Sequence, residues 1–225
     1  MNLEGLIYQV DIVMCIDCTG SMAHLIGDVK ANALRFYDDL VKTMTRKQKK
    51  IDRLRVRVIA FRDYYVDGLN SMVSSKFFDL PEQNKLFAEF VGNLRADGGG
   101  DDPETSLEAL ALAIKSDWLW GLKSRQLIVL WTDTSAHPLE HNLKAKPANY
   151  PPDMPPNFSA LTDLWGDQNH VDTNAKRLVL YAPEATPWPT IADHWENVLH
   201  YPSQAGRGLE ELEYNEILDH IAQSV

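Results

Sequence analysis

The 225 residues carry 22 basic and 32 acidic side chains, a net charge of −10, with 44% hydrophobic and 24% charged residues. That balance excludes a disordered chain and argues against broad contact with nucleic acid or an anionic membrane, while giving a cation a favourable background field. No run is apolar enough to span a bilayer, Asp11 interrupts the N-terminal apolar stretch before it resembles a secretory signal, and the two cysteines suit a reducing compartment. The expected location is therefore the cytoplasm. No shift in composition divides the chain, so residues 1–225 read as a single domain.

Residues 10–16 (VDIVMCI) form a short apolar run, the pattern of a strand buried on both faces of a parallel sheet. Asp17, Thr19 and Ser21 leave its end at two-residue spacing and present a carboxylate and two hydroxyls toward one point. Hard oxygens of this kind suit Mg²⁺, Mn²⁺ or Ca²⁺ rather than Zn²⁺ or copper. Ile26, Val29, Ala33, Phe36, Leu40 and Met44 then recur at helical spacing, and the basic residues from 46 to 50 suit that helix's negative end. Residues 54–61 predict a strand entering the core, and 73–80 a shorter edge strand. Pro81 opens a helix with Leu86, Phe87, Phe90, Val91 and Leu94 on its inner face. A glycine run at 98–100 breaks the chain before Asp101, Asp102, Pro103 and Glu104, after which 105–115 is strongly helical.

Residues 126–131 are the clearest strand and run into Thr132 and Asp133. The next segment, 134–158, holds six prolines without periodicity, a long loop insertion of the kind that carries function or is disordered. A short helix at 159–165, a strand at 177–182, a helix at 190–196, a last strand at 198–201 and a closing helix at 209–222 complete the pattern. The expected fold is α/β: a doubly wound, mostly parallel six-stranded sheet with helices on both faces, Rossmann-like in plan.

In such a sheet, ligands gather where strand order reverses, at the carboxyl ends of the strands. Three segments reach that rim: the Asp17 loop, Asp133, and the loop from Gly98 to Glu104. Carboxylates brought together there repel one another, and a divalent cation relieves the repulsion.

The pattern Asp17-x-Thr19-x-Ser21 resembles the first element of the metal-ion-dependent adhesion site (MIDAS) of von Willebrand factor A (vWA) domains, and Asp133 is similar to that family's aspartate after the fourth strand. Residues 101–104 resemble the Asp-x-Pro-Glu variant of integrin β-subunit domains, which implies a metal-facing role for Glu104, with Thr105 the second candidate. Residues 17–22, together with Phe61-Arg62-Asp63-Tyr64, look like the vWA domains of atypical alpha-kinases and their bacterial relatives. The resemblance implies a binding module in which Asp17, Thr19, Ser21, Glu104 and Asp133 hold Mg²⁺ (or Mn²⁺ or Ca²⁺), and a partner protein supplies an Asp or Glu to the ion. It implies no kinase activity, because the kinase catalytic residues have no counterpart here. The insertion at 134–158 departs from the family, so what binds above the ion does not carry over.

Blander readings stand beside these. Thr19 or Ser21 could cap the following helix, with Asp17 favoured by its dipole. Asp17 could be the nucleophile of a phosphatase resembling the haloacid dehalogenase family, but Thr19 stands where that family wants a second acid. The acidic residues around the glycine run oppose a phosphate cradle. Asp101 suits an outer shell or an adjacent metal. Cys15 and Cys18 have redox spacing, yet the first belongs to the strand and reads as core. His137 and His141 lack a third ligand and read as surface histidines. The basic residues from 46 to 57 read as a solvated face or secondary protein contact, and Trp165 and Tyr150 as the aromatics best placed to meet a partner.

Overall fold

In the computed structural model, which describes residues 6–99, 102–141 and 149–225, one sheet of seven strands forms the centre of the molecule. Its strands are β1 (Leu6–Asp17), β2 (Lys49–Phe61), β3 (Met72–Ser74), β4 (Phe78–Leu80), β5 (Ser124–Trp131), β6 (Lys176–Pro183) and β7 (Val198–Ser203). The order is β3-β2-β1-β5-β6-β7, and β4 also pairs with β2. β1, β2, β5, β6 and β7 run parallel, while β3 and β4 are antiparallel to β2. The expected doubly wound sheet is therefore present, with seven strands rather than six. The single edge strand predicted at 73–80 is two pieces, because Ser75 turns in to exchange bonds with β2. Its hydroxyl accepts from Val58 N–H at 2.9 Å, and its own N–H donates to Val58 O at the same distance.

Side-chain alternation along β1 builds a core on each face. Ile12, Met14 and Ile16 point to one side, under α1 (Ala23–Asn32), α2 (Phe36–Arg46), α3 (Asn84–Gly92) and α7 (Tyr214–Ser224). Val13 and Cys15 point to the other, under α4 (Ser106–Ile114), α5 (Phe158–Gly166) and α6 (Trp188–His194). Cys15 and the buried Cys18 belong to different cores, so they are no redox pair. The predicted first helix is split by a 3-10 turn, Ala33–Arg35, and the closing helix begins at Tyr214 rather than 209. On α3, Phe87 and Val91 are buried, but Leu86 faces outward. Trp165 is no partner surface: it is 3% exposed, stacked on Trp195 with Lys176 Nζ 4.7 Å above its ring.

Asp11, in the middle of β1, is the one acid in that strand's buried stretch before Asp17. It lies opposite Arg55 in the β1–β2 register, and the two form a bidentate pair at 2.8 and 2.7 Å. Other basic residues between 46 and 57 are likewise engaged. Lys47 meets Asp219, Arg53 meets Asp79, and Arg57 donates to Ser75 O and Ser116 Oγ. Arg46, Lys50 and Arg53 are exposed, in keeping with the solvated face expected there. Among the described residues no helix is long and apolar enough to cross a membrane.

Candidate metal centre

The chain reverses strand order between β1 and β5. β1 pairs with β2 on one side and β5 on the other, with Ile16 opposite Trp131. Asp17 ends β1, and Asp133 lies two residues beyond β5, so the register alone brings these acids to one crevice. A chain of polar contacts joins them. Thr19 Oγ1 donates to Asp17 Oδ1 at 2.7 Å, Thr19 Oγ1 and Ser21 Oγ lie 3.4 Å apart, and Ser21 Oγ donates to Asp133 Oδ1 at 3.1 Å. Asp17, Thr19 and Asp133 are buried, and Ser21 is exposed, so the group opens to solvent at Ser21. Neither hydroxyl caps the helix that follows, which sets the capping reading aside.

Glu104 enters from the loop before α4. Its N–H donates to Ser135 O at 3.2 Å, and its carbonyl accepts from His137 N–H at 2.8 Å, which clamps it to the start of the 134–158 segment. Its side chain reaches the same rim. Gly99 has φ +68°, and a Cβ there would stand 2.7 Å from Thr19 Cγ2 and 2.9 Å from Glu104 Oε1. Only glycine fits between Thr19 and Glu104. Glu104 is 2% exposed, yet its Oε2 has no hydrogen-bond partner among the described residues. Thr105 is not its equal as a ligand, because its hydroxyl is turned away to Arg62 O. Gly100 and Asp101 lie outside the described residues, as does 142–148 of the insertion.

Burial pushes the Asp17 carboxyl up to about 6, against the hydrogen bonds from Thr19 and Thr132 that favour its anion. Glu104 is pushed up to about 9, first by burial and then by Asp17, Asp63, Asp67 and Asp102. Like charges out of water resist ionisation together. Several residues of this neighbourhood carry no local signal in sequence. Thr132 Oγ1 donates to Asp17 Oδ2 at 2.8 Å. Gly208 N–H donates to Asp133 Oδ2 at 2.7 Å, and at φ +59° a Cβ on it would meet Ser21 O at 2.0 Å. The Gly206-Arg207-Gly208 spacing after the last strand was the one hint available.

Asp63, also buried, has Oδ2 unpartnered among the described residues, and its Oδ1 lies 3.7 Å from His137 Nε2. His137 is thus not a surface residue. Its side chain is 12% exposed, and its ring stacks on that of His141 at 5.0 Å. Tyr150, a residue of the insertion, donates to Glu108 at 2.8 Å.

Among the described residues no three His, Cys, Asp or Glu side chains form a metal-holding group by themselves. The candidate depends on hydroxyls as well as acids, and that donor set is the one hard cations use. The Glu104 Oε2, without a partner among the described residues, and the crowding of carboxylates fit such an ion.

The family described as von Willebrand factor A domain matches residues 11–146. A curated relative, the alpha-protein kinase vwkA of Dictyostelium discoideum, is 29% identical over 158 residues, covering 70% of this chain and 23% of its own. Among solved structures, the pilus adhesin SpaC of Lactobacillus rhamnosus GG aligns over 96% of this chain and 30% of its own, with a TM-score of 0.56 and 12% identity. Its open conformation aligns with a TM-score of 0.51 at 13% identity. The chain thus spans under a third of each relative's length, and the adhesin likeness is one of fold.

Proposed function

The chain belongs to the von Willebrand factor A domain family, and from that premise we propose that its rim is a protein-binding module that works through a divalent cation. Domains of this family commonly serve in protein interaction. Asp17, Thr19, Ser21, Glu104 and Asp133 are the residues that would hold the ion, with Mg²⁺ the expected species and Mn²⁺ or Ca²⁺ the alternatives that also take oxygen donors. When bound, the ion supplies an electrophilic position for an Asp or Glu side chain of a partner protein. The observation that carries this reading is the buried Oε2 of Glu104, without a partner among the described residues, beside the Asp17–Thr19–Ser21–Asp133 chain.

The chain's own side chains divide the work. Thr132 and Thr19 occupy both oxygens of Asp17 and hold it at the base of the crevice. Gly208 fixes Asp133, and Ser21 stands at the open side where a partner approaches. The neutral hydroxyls of Thr19 and Ser21 add donors without adding charge. A phosphatase resembling the haloacid dehalogenase family would want a second acid two residues after Asp17, where this chain has Thr19. The 134–158 segment, clamped to Glu104, is the natural determinant of partner choice. Two unpaired cysteines buried in separate cores fit the cytoplasm.

Calorimetric titration with Mn²⁺ tests the reading. The parent binds, while Asp17→Ala and Asp133→Ala bind at least about tenfold more weakly and keep the parent's circular dichroism. Variants that bind Mn²⁺ like the parent would show that these acids do not hold the ion.

A further inference from the structure

The polar groups of Arg62 are spent on four segments of the rim, around Cys18, Asn70–Ser71, Arg95–Asp97 and Thr105. Nε donates to Cys18 O at 3.0 Å and to Asp97 O at 2.7 Å, Nη1 to Asn70 O at 2.7 Å, and Nη2 to Arg95 O at 2.6 Å. Its backbone N–H donates to Ser71 O at 2.8 Å, and its carbonyl accepts from Thr105 N–H at 3.3 Å and from the Thr105 hydroxyl. Among the described residues no carboxylate pairs with the guanidinium, so its charge serves carbonyls alone.

The partners matter more than their number. Cys18 is the residue between Asp17 and Thr19, and Thr105 is the residue after Glu104. Asp97 and Arg95 begin the loop that carries Gly99 past Thr19. Among the described residues two other bonds join the β1 loop to this one: Asp97 N–H to Cys18 O at 3.1 Å, and Gly20 N–H to Gly98 O at 3.3 Å. Asp133 is held separately, by Ser21 and Gly208.

We infer that Arg62 is the positioning residue of the rim, its planar group setting the Asp17–Thr19 loop against the Arg95–Gly99 loop by tying three loops together, while its backbone carbonyl holds Thr105 beside Glu104. This rests on the cation reading above. A guanidinium suits the task because it offers five donors in a rigid fork, whereas a lysine offers three from a single point and cannot reach all four carbonyls. Loss of such an outer partner typically costs about 10–100-fold in metal affinity.

Arg62→Met, Arg62→Lys and a control, Arg53→Met, would be compared with the parent by Mn²⁺ calorimetry and by amide exchange of the metal-free proteins. The expected result is affinity weaker by about 10–100-fold for Arg62→Met, a smaller loss for Arg62→Lys, and no change for Arg53→Met. Without metal, the Asp97 and Gly20 amides exchange faster in both Arg62 variants, while the Gly208 amide keeps its protection. A merely structural role would instead raise exchange everywhere along with a lower unfolding midpoint. If Arg62→Met does not fold, Arg62→Lys carries the comparison. A parent that binds Mn²⁺ with an Arg62→Lys variant that binds equally well overturns the inference and leaves the cation reading standing. A parent that binds no Mn²⁺ overturns both.

Discussion

Replacing Asp11 with alanine should be among the most damaging single changes outside the rim. Asp11 accepts Arg55 Nε at 2.8 Å, Arg55 Nη2 at 2.7 Å and the Leu119 N–H at 2.7 Å, with its side chain 0% exposed. Alanine leaves a guanidinium that is 11% exposed without its counter-charge, and an amide without an acceptor. Breaking a buried pair from one side typically costs about 3–5 kcal/mol. Arg55 retains Asp117 O at 2.8 Å and the Phe77 ring face at 4.4 Å, which favours the lower end, about 3 kcal/mol. For a chain of this size that is a fall of about 6–12 °C in midpoint. Urea unfolding at pH 7 with an unchanged slope would measure it. The double variant Asp11→Leu/Arg55→Met removes both charges and recovers part of the loss. It still orphans Leu119 N–H and Asp117 O, so it stays below the parent by about 1–3 kcal/mol. A single-variant loss under about 1 kcal/mol would refute the pair's assigned role, since that is the range of exposed pairs.

Gly208→Ala should lower stability by at least about 1–2 kcal/mol through its left-handed backbone, and should weaken Mn²⁺ binding because the new Cβ drives against Ser21 O. Gly206→Ala, also at positive φ but with open space around its Cβ, should cost stability alone; equal Mn²⁺ titrations for the two would contradict this. His220 lies against Tyr201 at 3.8 Å with Nδ1 2.8 Å from Tyr181 Oη, and burial lowers its pKa from the ordinary 6.5. The unfolded chain therefore takes up a proton first on acidification. His220's contribution is complete above about pH 6.5 and is lost as pH falls through that value toward the folded one. His220→Phe should flatten this part of the stability–pH curve, and an unchanged slope would show that His220 does not cause it.

The alternation of Ile12, Met14 and Ile16 against Val13 and Cys15 already specified a strand buried on both faces, because side-chain period is a local property of extended backbone. The same locality made Asp17, Thr19 and Ser21 legible as a group, since two-residue spacing sends all three to one side of a strand end. Asp133 was reachable by one further step, the rule that acids ending adjacent strands meet at the point of reversal. The split of β3 from β4 was not legible, because it follows from Ser75 answering Val58 across the sheet edge. Nor was the burial of Trp165, which depends on Trp195 arriving from another helix.

By itself, then, the sequence determined the layered α/β plan and which oxygens stand at the rim. Tertiary structure alone decided what holds them there: Arg62 across three loops, Gly208 behind Asp133, and Asp11 against Arg55. Those contacts join residues up to 75 positions apart. A hydrogen bond leaves no periodic trace in either of two segments that meet only after the chain has folded.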